Sequence, residues 1–185
     1  MLARLAELPL LVVLIGISGS LALLPALYAV GSDQTALGRD FLWSALIILI
    51  GTVMLGIATA AFSPRNLARS HLAALVSAYA VLPPIMALPL VEAVPDTSFT
   101  NAWFEMLSAF TTTGATVYAP DRLPEVVHLW RALVGWFGGF ITLLAAYAIL
   151  APLNLGGSEV ASGRVPGRGA FGASQVTRTA EPKIG

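Results

Sequence analysis

The stretch TSFTNAWFEMLSAFTTTGATVYAP, residues 97–120, decides how the chain is read. Its first half repeats apolar side chains at helical spacing: Phe99, Ala102, Trp103, Met106, Leu107 and Phe110. Ser98 or Thr100 can cap the start. The predicted helix, about residues 100–110, is half the length needed to cross a hydrocarbon core of ~30 Å. Directly after it stand Thr111, Thr112, Thr113, Gly114, Ala115, Thr116 and Val117. Three consecutive threonines and a glycine do not continue a helix comfortably. They suit an extended strand in which Gly114 supplies backbone freedom, including access to positive φ.

The surroundings of this segment are apolar. Of 185 residues, 57% are hydrophobic and 11% charged, where a soluble domain carries about 25% charged residues. Mean hydropathy is +0.81. A soluble core of this size cannot hide that much apolar surface, so the composition points to an integral membrane protein. Uncharged runs cover residues 8–32, 41–64, 70–91 and 132–158, which predicts four spans. Runs of this length without strict alternation are helices, because helices satisfy their own backbone in lipid. A cleaved signal peptide is the competing reading of the first run, which is longer than a typical signal core.

The predicted fold is therefore an all-α integral membrane protein: four transmembrane helices plus one re-entrant pore helix and an extended filter strand. The strand lies between the third and fourth spans. Irregular backbone at membrane depth must be buried in protein or line water. If it lines water, its carbonyl oxygens lack a lipid-compatible partner other than water or an ion, which is how a potassium filter works. The negative C-terminal end of the short helix favours a cation there. The competing reading is a Thr-rich loop that only packs.

Charge placement orients the chain. With the N-terminus in the cytoplasm, Arg4, Arg65, Arg69, Arg164, Arg168, Arg178 and Lys183 lie inside, and Arg39, Arg122 and Arg131 outside. Seven of the ten acids then fall outside: Asp33, Asp40, Glu92, Asp96, Glu105, Asp121 and Glu125. An acidic outer mouth concentrates cations. The balance of ten basic against ten acidic residues gives no reason to expect nucleic acid. The absence of cysteine excludes thiol chemistry, and no acid pair, Ser/His pair or metal cluster within a span suggests an enzyme.

The block FEMLSAFTTTGATVY, residues 104–118, resembles the first pore loop of the Trk/Ktr/HKT superfamily of potassium transporters. The block LWRALVGWFGGFITLL, residues 129–144, resembles the helix that follows that loop. The resemblance implies four covalently linked helix–pore–helix repeats around one pore, each giving one filter segment. It puts Thr112, Thr113 and Gly114 on filter positions whose backbone carbonyls bind the transported K+, with K+ at Thr112 and Thr113, and Thr111, Ala115 and Thr116 flanking. Ala115 and Thr116 stand where tetrameric potassium channels have Tyr and Gly, which puts strict discrimination against sodium in doubt. Two spans before the first unit look like the TrkH type, with its extra N-terminal helix pair.

The implied organisation is an N-terminal helix pair over residues 1–64, the first helix–pore loop–helix repeat over 65–155, and a cytosolic linker over 156–185. The tail segment RTAEPKIG resembles the linker to a second repeat. One filter segment is visible, so the chain reads as part of a longer protein, with a homo-oligomer of single repeats as the alternative. The implied partners are the three remaining repeats, a cytosolic ring of nucleotide-binding subunits, and the lipid bilayer. The implied place is a bacterial-type inner membrane with both termini cytoplasmic. The rival to a conducting role is a non-conducting structural or assembly subunit.

Five side-chain expectations complete the reading. Pro83, Pro84 and Pro89 end or kink the third span. Gly135, Gly138 and Gly139 let helices approach closely. Trp103 and Trp130 sit at the outer boundary. Arg131 opens the fourth span and either snorkels or pairs with Asp121 or Glu125, while Glu105 either backs the filter or faces the outer vestibule.

Overall fold

A computed structural model describes residues 9–61 and 67–150. The expectations for Arg4, Arg65 and the linker 156–185 fall outside the described residues. The described residues form helices α1 (Leu10–Leu21), α2 (Leu23–Gly31), α3 (Thr35–Ala58), α4 (Leu67–Ala93), α5 (Phe99–Phe110) and α6 (Glu125–Leu150). A single 3-10 turn, Pro120–Arg122, precedes α6. Four stretches are long and apolar enough to cross a membrane: Leu10–Gly31, Thr35–Ala58, Arg69–Ala93 and Glu125–Leu150. The chain is a multi-pass, all-α membrane protein.

The first span is α1 and α2 joined at Ala22, which itself stays in the helical region with φ −67° and ψ −16°. The interruption follows from Pro25, whose ring cannot donate to the carbonyl of Leu21 and crowds it. Small residues then let this span lie close along α3, with Gly38 against Ala26 and Ala29, and Gly19 against Ile48. The prolines of α4 do not end it. The helix runs through Pro83, Pro84 and Pro89 to Ala93, with Pro83 and Pro89 buried. In a bundle, neighbouring groups can take up the carbonyls that a proline frees.

The fourth span begins seven residues before the uncharged run that announced it, at Glu125 rather than Ala132. Counting uncharged residues missed this first part because it contains Arg131. Trp130 is likewise not a boundary anchor. It is fully buried, donates from Nε1 to the Met86 carbonyl at 3.1 Å, and meets Phe41 edge-on at 6.0 Å. Trp103 does lie exposed, at 42%.

The short helix α5 is capped by Ser98, whose hydroxyl accepts from the Asn101 amide at 3.2 Å. It packs most extensively against α4 and also against α6. Its last residue, Phe110, is fully buried. The Phe110 ring stands edge-on to Tyr79 at 5.3 Å and to Phe137 at 6.2 Å, so one aromatic side chain joins α4, α5 and α6. The backbone of Phe110 also lies directly on Gly138: a Cβ there would come within 2.7 Å of the Phe110 Cα and overlap its carbonyl.

Gly138→Ala is therefore expected to destabilise the protein by at least the roughly 1–3 kcal/mol of an overpacked core. Gly135→Ala should cost much less, since its Cβ would meet only the Ala109 carbonyl, at 3.4 Å. Thermal melting of the two variants in the same detergent, followed by circular dichroism, ranks them.

Candidate functional site

The site grows from the C-terminus of α5. The amide of Thr113 bonds the Ser108 carbonyl at 2.9 Å, and that of Thr112 bonds the Ala109 carbonyl at 2.9 Å. This paired closure ends a helix in a left-handed residue that is usually glycine. Here the left-handed residue is Thr112, with φ +56°. The α2 terminus closes the same way through Asp33 at φ +60°, but a short polar aspartate tolerates that region and a β-branched threonine does not. Gly114 follows with φ +77°, in the freedom its sequence position suggested.

Beyond Thr112 the chain has no regular secondary structure over residues 113–116, and no β-strand forms among the described residues. The expected extended strand is thus an irregular segment, exposed from Thr112 to Val117. Its two kinds of backbone group are used differently. The amides of Thr111, Thr112, Thr113 and Gly114 turn back onto the carbonyls of Leu107, Ala109 and Ser108. The amide of Val117 donates to Glu105 Oε2 at 3.2 Å, and that of Tyr118 to the Thr116 hydroxyl at 3.1 Å. Among the described residues, no donor meets the carbonyl oxygens of Thr112, Thr113, Gly114, Ala115 or Thr116. For residues 112–114 the amides are consumed inward and the carbonyl oxygens are left over.

Glu105 holds this arrangement. Its side chain is fully buried. Oε2 accepts from the Thr116 hydroxyl at 3.1 Å and from the Val117 amide. Oε1 lies 2.6 Å from Arg131 Nη2, whose side chain is 22% exposed. One carboxylate therefore ties α5 to the irregular segment on one side and to α6 on the other. Arg131 pairs with Glu105 rather than with Asp121 or Glu125. Glu125 instead accepts from the Tyr28 hydroxyl at 3.1 Å. Of the two readings left open for Glu105, the structure has it behind the segment.

The sequence left the Glu105–Arg131 pair undetermined, although a signal was there. Two opposite charges, Glu105 alone in α5 and Arg131 at the edge of a long apolar run, have to find each other or water. His128 carried no such signal. Its Nε2 lies 3.0 Å from the Pro120 carbonyl. A cavity of about 340 Å³ opens between the segment at Thr112, Gly114 and Ala115 and the α6 face at His128, Arg131 and Gly135. Tyr118, just past the irregular segment, is buried, with its hydroxyl 3.1 Å from Thr97 Oγ1 and Arg122 over its ring at 5.5 Å.

A membrane-spanning helix, a half-length helix with an irregular segment, and a second spanning helix define the class: a multi-pass membrane protein built on a helix–short helix–helix unit. No family model matches the chain. It is 42% identical over 79 residues to the Trk system potassium uptake protein TrkH of Vibrio parahaemolyticus, covering 42% of this chain and 16% of that protein. It is 37% identical over 91 residues to TrkH of Escherichia coli, covering 48% and 19%. A third relative, TrkH of Halomonas elongata, is 34% identical over 136 residues, covering 69% and 28%. The chain belongs to the Trk family of transporters, TrkH type. It spans less than a third of the length of these relatives.

Removing one partner of the buried pair strands the other, so Glu105→Gln and Arg131→Gln should each destabilise the protein by about 3–5 kcal/mol. The double variant should cost clearly less than the sum, which a double-mutant cycle on melting curves reads directly. Thr112→Gly should act in the opposite sense, stabilising by about 1–2 kcal/mol through release of the left-handed penalty.

Proposed function

We propose that this chain forms part of a potassium uptake transporter and supplies one of the four filter segments of its pore. The potassium assignment follows the relatives, whose names state potassium uptake. The observation that carries the filter assignment is the one-sided backbone of residues 112–114, whose amides turn back onto α5 while no described donor meets their carbonyl oxygens. In this reading the carbonyls of Thr112, Thr113 and Gly114 take the place of the hydration shell of K+. Thr111, Ala115 and Thr116 flank them and set their spacing. The C-terminal end of α5 adds a partial negative charge toward the same point. The Glu105–Arg131 pair keeps the segment from collapsing onto α5 when no ion is bound.

The rest of the sequence organisation fits this proposal. Residues 1–64 form the extra helix pair, 65–155 the first pore repeat, and 156–185 the link to the second repeat. Both termini face the cytoplasm of a bacterial-type inner membrane, so the acids around residues 92–125 face the ion source. A single segment supplies a quarter of the carbonyl ring, so the three other segments come from further repeats. A cytosolic nucleotide-binding ring is the regulatory partner of this arrangement.

The 185-residue chain alone should not rescue a potassium-uptake-deficient bacterium at low potassium. Residues 99–118 of this chain, placed in the E. coli relative in exchange for the matching segment, should support rubidium and potassium uptake. Gly114→Ser in that chimera should lower uptake or its selectivity over sodium at equal membrane expression, because a side chain at φ +77° costs strain and narrows the ion path. Thr113→Ser should be milder, since the proposed ligand is a main-chain oxygen. Wild-type uptake and selectivity in the Gly114→Ser chimera would leave only a packing role for the segment.

A further inference from the structure

A second concavity, largely apolar but carrying two carboxylates, lies away from the filter segment, between α3 and α4. It has a volume of about 340 Å³ and is lined by Asp40, Trp43, Ser44, Ile47, Leu88 and Glu92. The spacing explains the lining: 40, 43, 44 and 47 share one face of α3, and 88 and 92 share one face of α4. Two carboxylates at the ends of apolar helices would by themselves be ordinary solvated acids. Ser44 makes the difference. It is 4% exposed, and among the described residues its hydroxyl has no hydrogen-bond partner. Ser18, Ser20, Thr52 and Thr59 return their hydroxyls to a carbonyl of the preceding turn. The Ser44 hydroxyl does not, and Ser44 lines the concavity.

We propose that this concavity binds the headgroup of a phospholipid carrying a primary ammonium, that is, a phosphatidylethanolamine. Three acceptors converge there: the carboxylates of Asp40 and Glu92 and the Ser44 oxygen. A primary ammonium has three N–H donors to match them, and a quaternary ammonium has none. The Trp43 ring, 60% exposed, offers a face that also favours a cation. Arg39, largely exposed, is paired with Asp40 at 3.6 Å; in this proposal the ammonium takes its place on Asp40 and Arg39 turns to the lipid phosphate. Apolar surface runs on from the acids along α3, through Ile47, Ile50, Met54 and Ile57, each at least 60% exposed. That stripe is where the acyl chains of an anchored lipid lie.

Native mass spectrometry of the purified 185-residue chain, offered equal amounts of ethanolamine, choline and glycerol phospholipids with identical acyl chains, tests this. Ethanolamine adducts should exceed each of the others by about tenfold, the scale of one charge-assisted hydrogen bond. The double variant Asp40→Asn/Glu92→Gln should abolish that preference, and Ser44→Ala should reduce it, with unchanged helicity by circular dichroism. Equal adducts for all three headgroups overturn the proposal. So does a preference that survives the double variant, or displacement of the lipid by millimolar potassium, which would make a small cation the occupant.

Discussion

A carboxylate without water is among the most costly groups a membrane protein can bury, and Glu105 is fully buried. It is tolerated because both oxygens are engaged, one by the Arg131 guanidinium and the other by the Thr116 hydroxyl and the Val117 amide. Each of those contacts carries a structural consequence. The ion pair sets α5 against α6. The bonds to Thr116 and Val117 fix the far end of an irregular segment whose near end is already fixed by the closure of α5. Residues 112–116 are therefore held at both ends while making few bonds of their own.

That restraint gives the backbone its polarity. With amides 111–114 folded back onto α5, the groups left over at residues 112–114 are carbonyl oxygens. An acceptor-only backbone is stable at membrane depth only beside water or a cation. Thr112 in the left-handed region stores roughly 1–2 kcal/mol that glycine would not. Strain of this kind persists where the surroundings over-determine the conformation, and here the Gly138 contact and the Phe110 cluster do so. The Gly138 approach sets the C-terminus of α5 directly on α6, and a side chain there would move the helix end from which the segment starts.

Most of the fold was legible because one physical constraint, the length of an apolar helix, acts on long runs of residues. The half-length of α5 and the break after Phe110 were legible for the same reason, and the positive φ of Gly114 from its place after three threonines. What was not legible depended on pairs distant in sequence. Charge counting displaced the start of α6 because Arg131 lies inside it, neutralised by an acid 26 positions away. Trp130 has the composition of a boundary anchor, and only its contacts with Met86 and Phe41 show that it is core. The left-handed Thr112 ran against its own preference, since the glycine expected at a helix end stands two positions later. Proline stopped no helix in α4 because packing, not propensity, decides within a bundle.

The central claim is that carbonyl oxygens of residues 112–114 face the ion. Isotope-edited infrared spectroscopy tests it on the E. coli relative carrying residues 97–139 of this chain, with the carbonyl carbons of Thr112, Thr113 and Gly114 labelled. Exchange of N-methylglucamine for potassium should shift the labelled amide bands, and a Glu105→Gln/Arg131→Gln variant should broaden them by releasing the segment. Labelled bands that are identical in the two ions, in a chimera that still takes up rubidium, would contradict the account.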